Sequence, residues 1–373
     1  MQKKVKSIIS YRNLDVRVTG KPDRDILNLL DNTVLGSAGG LRHQLTNIDK
    51  RIKAYGNNIR FVSLYLKDRL AGTVGLCYRT SLSAAKEHHS SYIRYLSFMP
   101  MFRTALKRKE PATKTSKQSW KEEVFAFFRK PHLLGFPGYK EGDKHVVYAY
   151  IESHNERSRN LIEQVGLENI RSFITVPFSR FNPGESERVS KLPIKDRDRM
   201  KNILEGFYVS HSFFTSEFSF YDDKYYIIKE GEDIVAGLAA IPNAFRIVDI
   251  PGFKGWLFMN ILHRLPLLRK LFNPREIRFL AIESIYCKEG REKELEEIIE
   301  SACALEGYNL AITWLDDKSG LYHRIIKKTS RGIVEKMLDP TPAQLYAGFV
   351  NYTDEERKAF KDRPAFIPGF DFT

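Results

Sequence analysis

Few residues of this 373-residue chain combine a reactive side chain with a setting that could use it. Cys287 invites a nucleophile, but no histidine lies near it in the sequence, and an inert thiol is the simpler reading. His88-His89 and the more distant His145 and His154 do not set two imidazoles on one helical face with a third ligand, so no metal site is expected. Glu283 stands near the end of an apolar run, residues 277–286 (IRFLAIESIY), where loss of water raises a carboxylate's pKa toward that of a base at neutral pH. The alternative is a Glu283 that points to the open face or pairs with Arg278 or Lys288. Asn155 follows another apolar run, 145–152 (HVVYAYIE), and carries a donor and an acceptor on one side chain. It either caps a helix starting at Glu156 or offers those groups to a ligand.

The elements that must position these residues follow from periodicity. Residues 22–35 space Ile26, Leu29, Leu30 and Val34 as one helical face. Residues 59–66, 70–78 and 92–99 are β-rich runs, the first two joined by a turn at Lys67-Asp68-Arg69, and they predict an antiparallel meander. A helix over 119–129, a strand over 145–152, a helix over 156–165 ended by Gly166 and a strand over 170–178 complete the first half. Residues 180–190 (RFNPGESERVS) read as a connection. The same order then recurs: a helix over 195–207, strands over 224–229, 234–241 and 277–286, a helix over 292–305, a strand over 309–315, a helix over 320–328 and a closing strand over 332–338. The expected fold class is α/β, a mixed sheet flanked by helices, built as two tandem domains of one architecture over 1–182 and 183–373. At about 100–200 residues per domain, the length suits two.

The formal net charge of +14 is concentrated. Residues 101–130 hold nine Lys and Arg against three acids, and residues 254–275 hold five against none. Such patches suit nucleic acid, an anionic membrane face or a phosphate-bearing small molecule. No nucleic-acid motif accompanies the aromatic-basic stretch 120–129, so nucleic acid is not the expected partner. The apolar and basic stretch 256–272 (WLFMNILHRLPLLRKLF) resembles a membrane-surface helix, but Pro266 splits it and its polar face is narrow; a lid over an acceptor cleft or against the other domain is the favoured reading. Three cysteines without framework spacing, no secretory leader and no run of about 18 apolar residues predict a reduced, cytoplasmic location without a membrane span.

The segment 146–180 carries a family pattern. Asn155-x-x-Ser158-x-x-Leu161-Ile162-Glu163-Gln164-x-Gly166-Leu167, between two strands, resembles a block of the GNAT acetyltransferase superfamily: a strand, Asn-x-x-Ala/Ser, a helix and Gly-Phe. A weaker counterpart lies at 311–328, with Asp316 or Asp317 near the Asn place, then Ser319, Leu321 and Tyr322. The resemblance implies two GNAT-like domains and transfer of an acetyl group from acetyl-CoA to a primary amine. Two parallel strands that splay apart would leave backbone groups to pair with the pantetheine arm, with Asn155 and Ser158 beside it. The family's pyrophosphate turn has its place at Gly290 and Arg291 in the second half, where Lys293 and Leu295 replace its small residues. In the first half that place falls at Arg103 and the basic run, which has no glycine. Glu283 stands where several members keep a base, and Tyr322 where many keep a general acid, with Ile162 corresponding in the first half. The incomplete turns leave two alternatives: an inactive module that binds an anionic ligand or a protein, and a peripheral membrane protein. The acceptor and the oligomeric state have no signature in the sequence.

Overall fold

The computed structural model describes residues 6–11, 14–36, 39–99, 120–266, 268–337 and 342–373. Its strands are β1 (Lys6–Tyr11), β2 (Leu14–Thr19), β3 (Arg42–Leu45), β4 (Ile59–Leu66), β5 (Arg69–Ser83), β6 (Lys86–Phe98), β7 (His145–Glu152), β8 (Glu168–Ser179), β9 (Val189–Lys191), β10 (Tyr225–Glu230), β11 (Asp233–Asp249), β12 (Ile277–Cys287), β13 (Leu310–Asp316) and β14 (Ala343–Val350). The helices are α1 (Arg24–Asp31), α2 (Ile48–Ala54), α3 (Trp120–Arg129), α4 (Glu156–Val165), α5 (Arg197–Phe207), α6 (Gly252–Asn260), α7 (Glu292–Glu306), α8 (Gly320–Lys328), α9 (Ile333–Met337) and α10 (Asp354–Lys361). All strands join one sheet, in the order β1-β2-β4-β5-β6-β7-β14-β8-β13-β12-β11-β10-β9, with β3 added on β11. Among the described strands, only β6 with β7 and β12 with β13 pair in parallel.

Local chemistry explains the elements that matter most. The meander β4-β5-β6 turns at Lys67 and Asp68, both at positive φ, as a two-residue hairpin loop of the twisted kind requires. Helix α4 starts where the Asn155 side chain accepts from Ser158 N–H and stops at Gly166 in the left-handed region. It buries Ile162 and Val165 with α3's Phe125, Phe127 and Phe128 on one face of the first half. On the other face, α1 and α2 bury Ile26, Leu29, Leu30, Ile48 and Ile52. In the second half, α7 and α8 pack Leu295, Ile298, Ile299, Leu321 and Ile325 on one face, and α5 packs Met200 and Leu204 on the other. At roughly 25 cal/mol per Å² of apolar area removed from water, these two-sided cores are the main favourable term.

Two features depart from the periodicity. The strand expected over 332–338 is not found in its described part, 332–337: Ser179 Oγ accepts from Val334 N–H at the start of the short helix α9, and Gly332 passes too close to Ser179 for any Cβ. The closing strand is β14 instead, and it lies not beside the second half's strands but between β7 and β8 of the first.

After α10 the chain enters the interior. Pro364 O and Phe366 N–H bond Ser212, Ala365 N–H donates to Asp316 Oδ2 at 2.8 Å, and Phe370 N–H donates to Glu283 Oε2 at 2.8 Å. Gly369 runs so close to β12 that a Cβ would lie 2.5 Å from Ile282 O. Phe370 stacks on Phe218 at 3.7 Å between centroids, and Phe372 on Trp314 at 4.2 Å. Asp371 then reaches the first half, where its carboxylate pairs with Arg79 at 2.6 Å, both side chains 1% exposed or less. Tyr55, Tyr148 and Tyr150 hydroxyls lie 3.3–3.5 Å from the same carboxylate. Burial alone would lower the Arg79 pKa, but Asp371 holds it well above its ordinary value. Removing one partner of a buried pair strands the other charge, at about 3–5 kcal/mol. Arg79→Met should therefore lower unfolding stability by that order in a urea titration, and Arg79→Met with Asp371→Asn should cost less than Arg79→Met alone. Equal costs would show that the pair does not act as a unit.

Candidate active site

The two halves carry the same device at the same register. In β6, Tyr95 (φ 58°) bulges so that Thr73 faces Ser97 and Gly75 faces Arg94. In β12, Ser284 (φ 51°) bulges so that Gly237 faces Tyr286 and Ala239 faces Glu283. The parallel partners separate just before each bulge: β6–β7 pairing ends at Tyr92 and Tyr148, and β12–β13 pairing at Ala281 and Ile312. Seven residues after Tyr148 comes the helix cap Asn155, and seven after Ile312 the cap Ser319, whose Oγ accepts from Tyr322 N–H. Hence Arg94 is the positional counterpart of Glu283, and Tyr322 stands opposite Ser158 rather than Ile162. Each half thus holds a pair of splayed strands with unpaired backbone edges, a place where a second polypeptide or an amide-bearing arm can bond.

The second splay is filled by the chain itself. Ala365, Phe366 and Ile367 lie with Ile282–Ile285 and Thr313–Asp316 around a residual cavity of only about 20 Å³. Asp316 is held by Arg171 at 2.5 and 2.7 Å as well as by Ala365. The turn before α7 is also occupied. Glu292, 2% exposed, places its carboxylate 3.4 Å from Gly290 N–H, 3.2 Å from Arg324 and 3.3 Å from Lys328. Burial pushes Glu292 up, yet its own backbone N–H, Lys328 and Gly290 N–H hold it below the ordinary carboxylate range. An anion of the protein therefore sits where a helix N-terminus would attract a phosphate. Arg291 is turned to Glu230 and Glu294 at 2.6 and 2.9 Å.

The first splay is open. A cavity of about 300 Å³ is lined by Tyr92–Ser97 on one strand and Ala149–Glu152 on the other, with Asn155 and Ser158 at the helix start and Asp371 and Phe372 arriving from the tail. Leu30, Leu35, Leu45, Ile48 and Phe173 give it an apolar wall. An outer basin of about 1350 Å³ shares Thr33, Gly36 and Asn155 with it and adds Arg42, Arg69 and Arg157. Three polar groups at the inner cavity were invisible to periodicity. Arg94 donates to Tyr55 Oη at 3.3 Å and to the carbonyl oxygens of Phe370 and Thr373. The Tyr95 hydroxyl is buried without a hydrogen-bond partner, and burial pushes its pKa up to about 12, so it keeps its proton. His43, on β3, also lines the cavity; burial pulls it down to about 4, and it is neutral at pH 7.

No protein-family model matches the chain, and no curated protein matches its sequence. Solved structures do. Saccharomyces cerevisiae N-myristoyltransferase with bound myristoyl-CoA is similar over 97% of this chain and 90% of its own, with TM-score 0.55 and 11% identity. A GCN5-related N-acetyltransferase from Anabaena variabilis is similar over 89% of this chain and 72% of its own, with TM-score 0.46 and 9% identity. The likeness to N-myristoyltransferase shows that the two chains share a fold.

Within this fold, the residues singled out from sequence fall into two groups. Asn155 and Ser158 come together at the open splay of the first half. Glu283, Tyr322, Gly290 and Arg291 lie in the second. Tyr322 is half-buried beside His323 and does not line the cavity of Glu283. Arg103 lies outside the described residues. Cys287 is buried, and burial pushes its thiol up to about 12, which suits the inert reading.

Glu283 is 2% exposed, with Oε1 lacking a partner. Burial pushes its pKa up to about 8, against the pull of Phe370 N–H. Between the ordinary carboxylate value and about 8, the folded chain holds a proton that the unfolded chain releases. This contribution to stability is therefore complete in acid and is lost as pH rises toward 8, with a slope of up to about 1.4 kcal/mol per pH unit. Thermal melts from pH 5 to 8.5 should show that decline, and Glu283→Gln should flatten it and melt higher than the parent at pH 8.5. A parent and variant with parallel profiles would place the Glu283 titration elsewhere.

Proposed function

We propose that the chain is an N-acyltransferase that takes an acyl group from acyl-CoA bound in the first half and passes it to a primary amine. The observation that carries this reading is the contrast between the splays: one keeps its backbone edges and a cavity, and the other is closed by residues 365–370 and by Glu292. The N-myristoyltransferase likeness supports an acyl-CoA donor. Acetyl-CoA is the simplest such donor. The apolar wall of Leu30, Leu35, Ile48 and Phe173 favours a donor with a longer carbon chain.

The chemistry asks for three things. The thioester carbon must meet the amine nitrogen, the amine must lose a proton, and the C–S bond must break with the thiolate taking a proton. The Asn155 side chain spends its oxygen on the helix cap, which leaves its amide N–H groups to donate to the pantetheine arm. The Tyr95 hydroxyl, protonated at neutral pH, is buried beside this cavity rather than open to it. Asp371 is the carboxylate held there by Arg79 and three tyrosines, and we assign it the amine's proton. Glu283, counterpart of Arg94, is assigned to holding the inserted tail at Phe370.

The test is ligand-dependent melting of the full chain with CoA, acetyl-CoA, octanoyl-CoA and myristoyl-CoA. A donor at 100 times its dissociation constant should add about 2.7 kcal/mol to stability. Ser158→Trp, which blocks the first splay, should abolish the shift, while Arg291→Glu should keep it; the reverse pattern would move the donor to the second half. With a donor found, Asp371→Asn, assayed where it remains folded, should lower kcat by about 10²-fold or more with donor KM little changed. No shift with any of the four ligands at low salt would overturn the reading.

A further inference from the structure

The segment around α6 does not behave as a buried lid. The helix packs Leu257, Phe258 and Met259 toward the core, with Phe258 edge-on to Phe272. Its other face, at spacing i, i+3, i+7, turns outward through Phe253, Trp256 and Asn260. Phe253 is 76% exposed and Trp256 52%, and their rings stack on each other at 6.0 Å. Val248, Ile261 and Leu265 add exposed apolar surface within the same stretch of chain. A single exposed leucine needs no explanation, but a stacked aromatic pair with aliphatic neighbours marks an interaction surface.

Charge and shape point to the occupant. Arg246, Arg264, Arg269, Lys270 and Arg275 lie exposed along 246–275, a stretch whose sequence holds a single carboxylate, Asp249, with Glu276 following it. None of the cavities described above is lined by Phe253, Trp256, Ile261 or Leu265. The pair therefore projects rather than clasps, and a projection of aromatic rings among cations fits a soft anionic surface, not a peptide that needs a groove. Among the described residues no helix is long and apolar enough to cross a membrane. We propose that 246–275 is a peripheral docking surface for anionic lipid bilayers, in which Phe253 and Trp256 enter the headgroup layer while Arg264, Arg269 and Arg275 meet lipid phosphates. This surface stands independently of the acyl-transfer reading.

The experiment is co-sedimentation of the full chain with vesicles of phosphatidylcholine alone and of phosphatidylcholine with an equal amount of phosphatidylglycerol, at 100 mM salt. The parent should pellet with the anionic vesicles only. Phe253→Ser with Trp256→Ser should weaken binding by tenfold or more, and Arg264→Glu with Arg269→Glu by at least roughly five-fold per cation. Leu133→Ser, which removes an exposed leucine elsewhere, should bind as the parent does. Near-ultraviolet circular dichroism checks that each variant is folded. Equal binding by parent and aromatic variant, equal pelleting with neutral vesicles, no pelleting at all, or a parent dimer in light scattering that Trp256→Ser dissolves would each overturn the proposal.

Discussion

The Arg79–Asp371 ion pair is the constraint on which the interior is organised. It joins β5, early in the chain, to the inserted tail, 292 residues later, with both side chains 1% exposed or less. Neither charge could stay there alone, because an unpaired ion in a medium of low dielectric costs far more than the fold's net stability. Its partners follow from that need. Tyr55, Tyr148 and Tyr150 bring hydroxyls to the carboxylate, and Arg94 fastens the neighbouring backbone carbonyls. With Asp371 paired to Arg79, the tail takes its course between β12 and β13, and Phe370 and Phe372 stack on Phe218 and Trp314.

From that one course comes the inequality of the halves. The scaffold is the same in both: a bulge, a parallel pair that separates, and a helix capped seven residues later. What differs is what fills the gap. In the second half the protein supplies its own substitutes, backbone from 365–370 for an amide-bearing arm and the Glu292 carboxylate for a phosphate. Filling one cleft stabilises the fold without a ligand, and leaving the other unfilled reserves its polar edges for one. Tyr95 marks the cost of packing at the first bulge: a buried hydroxyl lacking a partner costs on the order of 1–3 kcal/mol.

Much of the scaffold was legible in the sequence because it is local. The Asn155 cap, the Gly166 stop, the turn at Lys67-Asp68 and the strands β4, β7 and β13 are written in residues a few positions apart. The site was legible only in part. Asn155 and Ser158 carry a pattern, but Tyr95 and Ser284 adopt positive φ without the glycine that would announce it, so the bulges and the counterpart role of Arg94 have no local signal. Asp371 and His43 reach the cavity through pairings across the whole chain, β3 on β11 and the tail on β5, which no periodicity encodes. The same holds for α6: its apolar and basic composition is plain, but which rings face outward is settled by the packing of Phe258 on Phe272. The expected strand at 332–338 failed for a similar reason, since the Ser179 hydroxyl that starts α9 is more than 150 residues away.

The place of β14 has a consequence for how the molecule is made. Until residue 350 has been synthesised, β7 and β8 face each other across a gap one strand wide, each with an unpaired edge. The first half's other strands are therefore complete in sequence by residue 179, but its sheet cannot close until residues 343–350 have left the ribosome. Such long-range closure makes folding slow and leaves two strand edges open to wrong partners in the meantime.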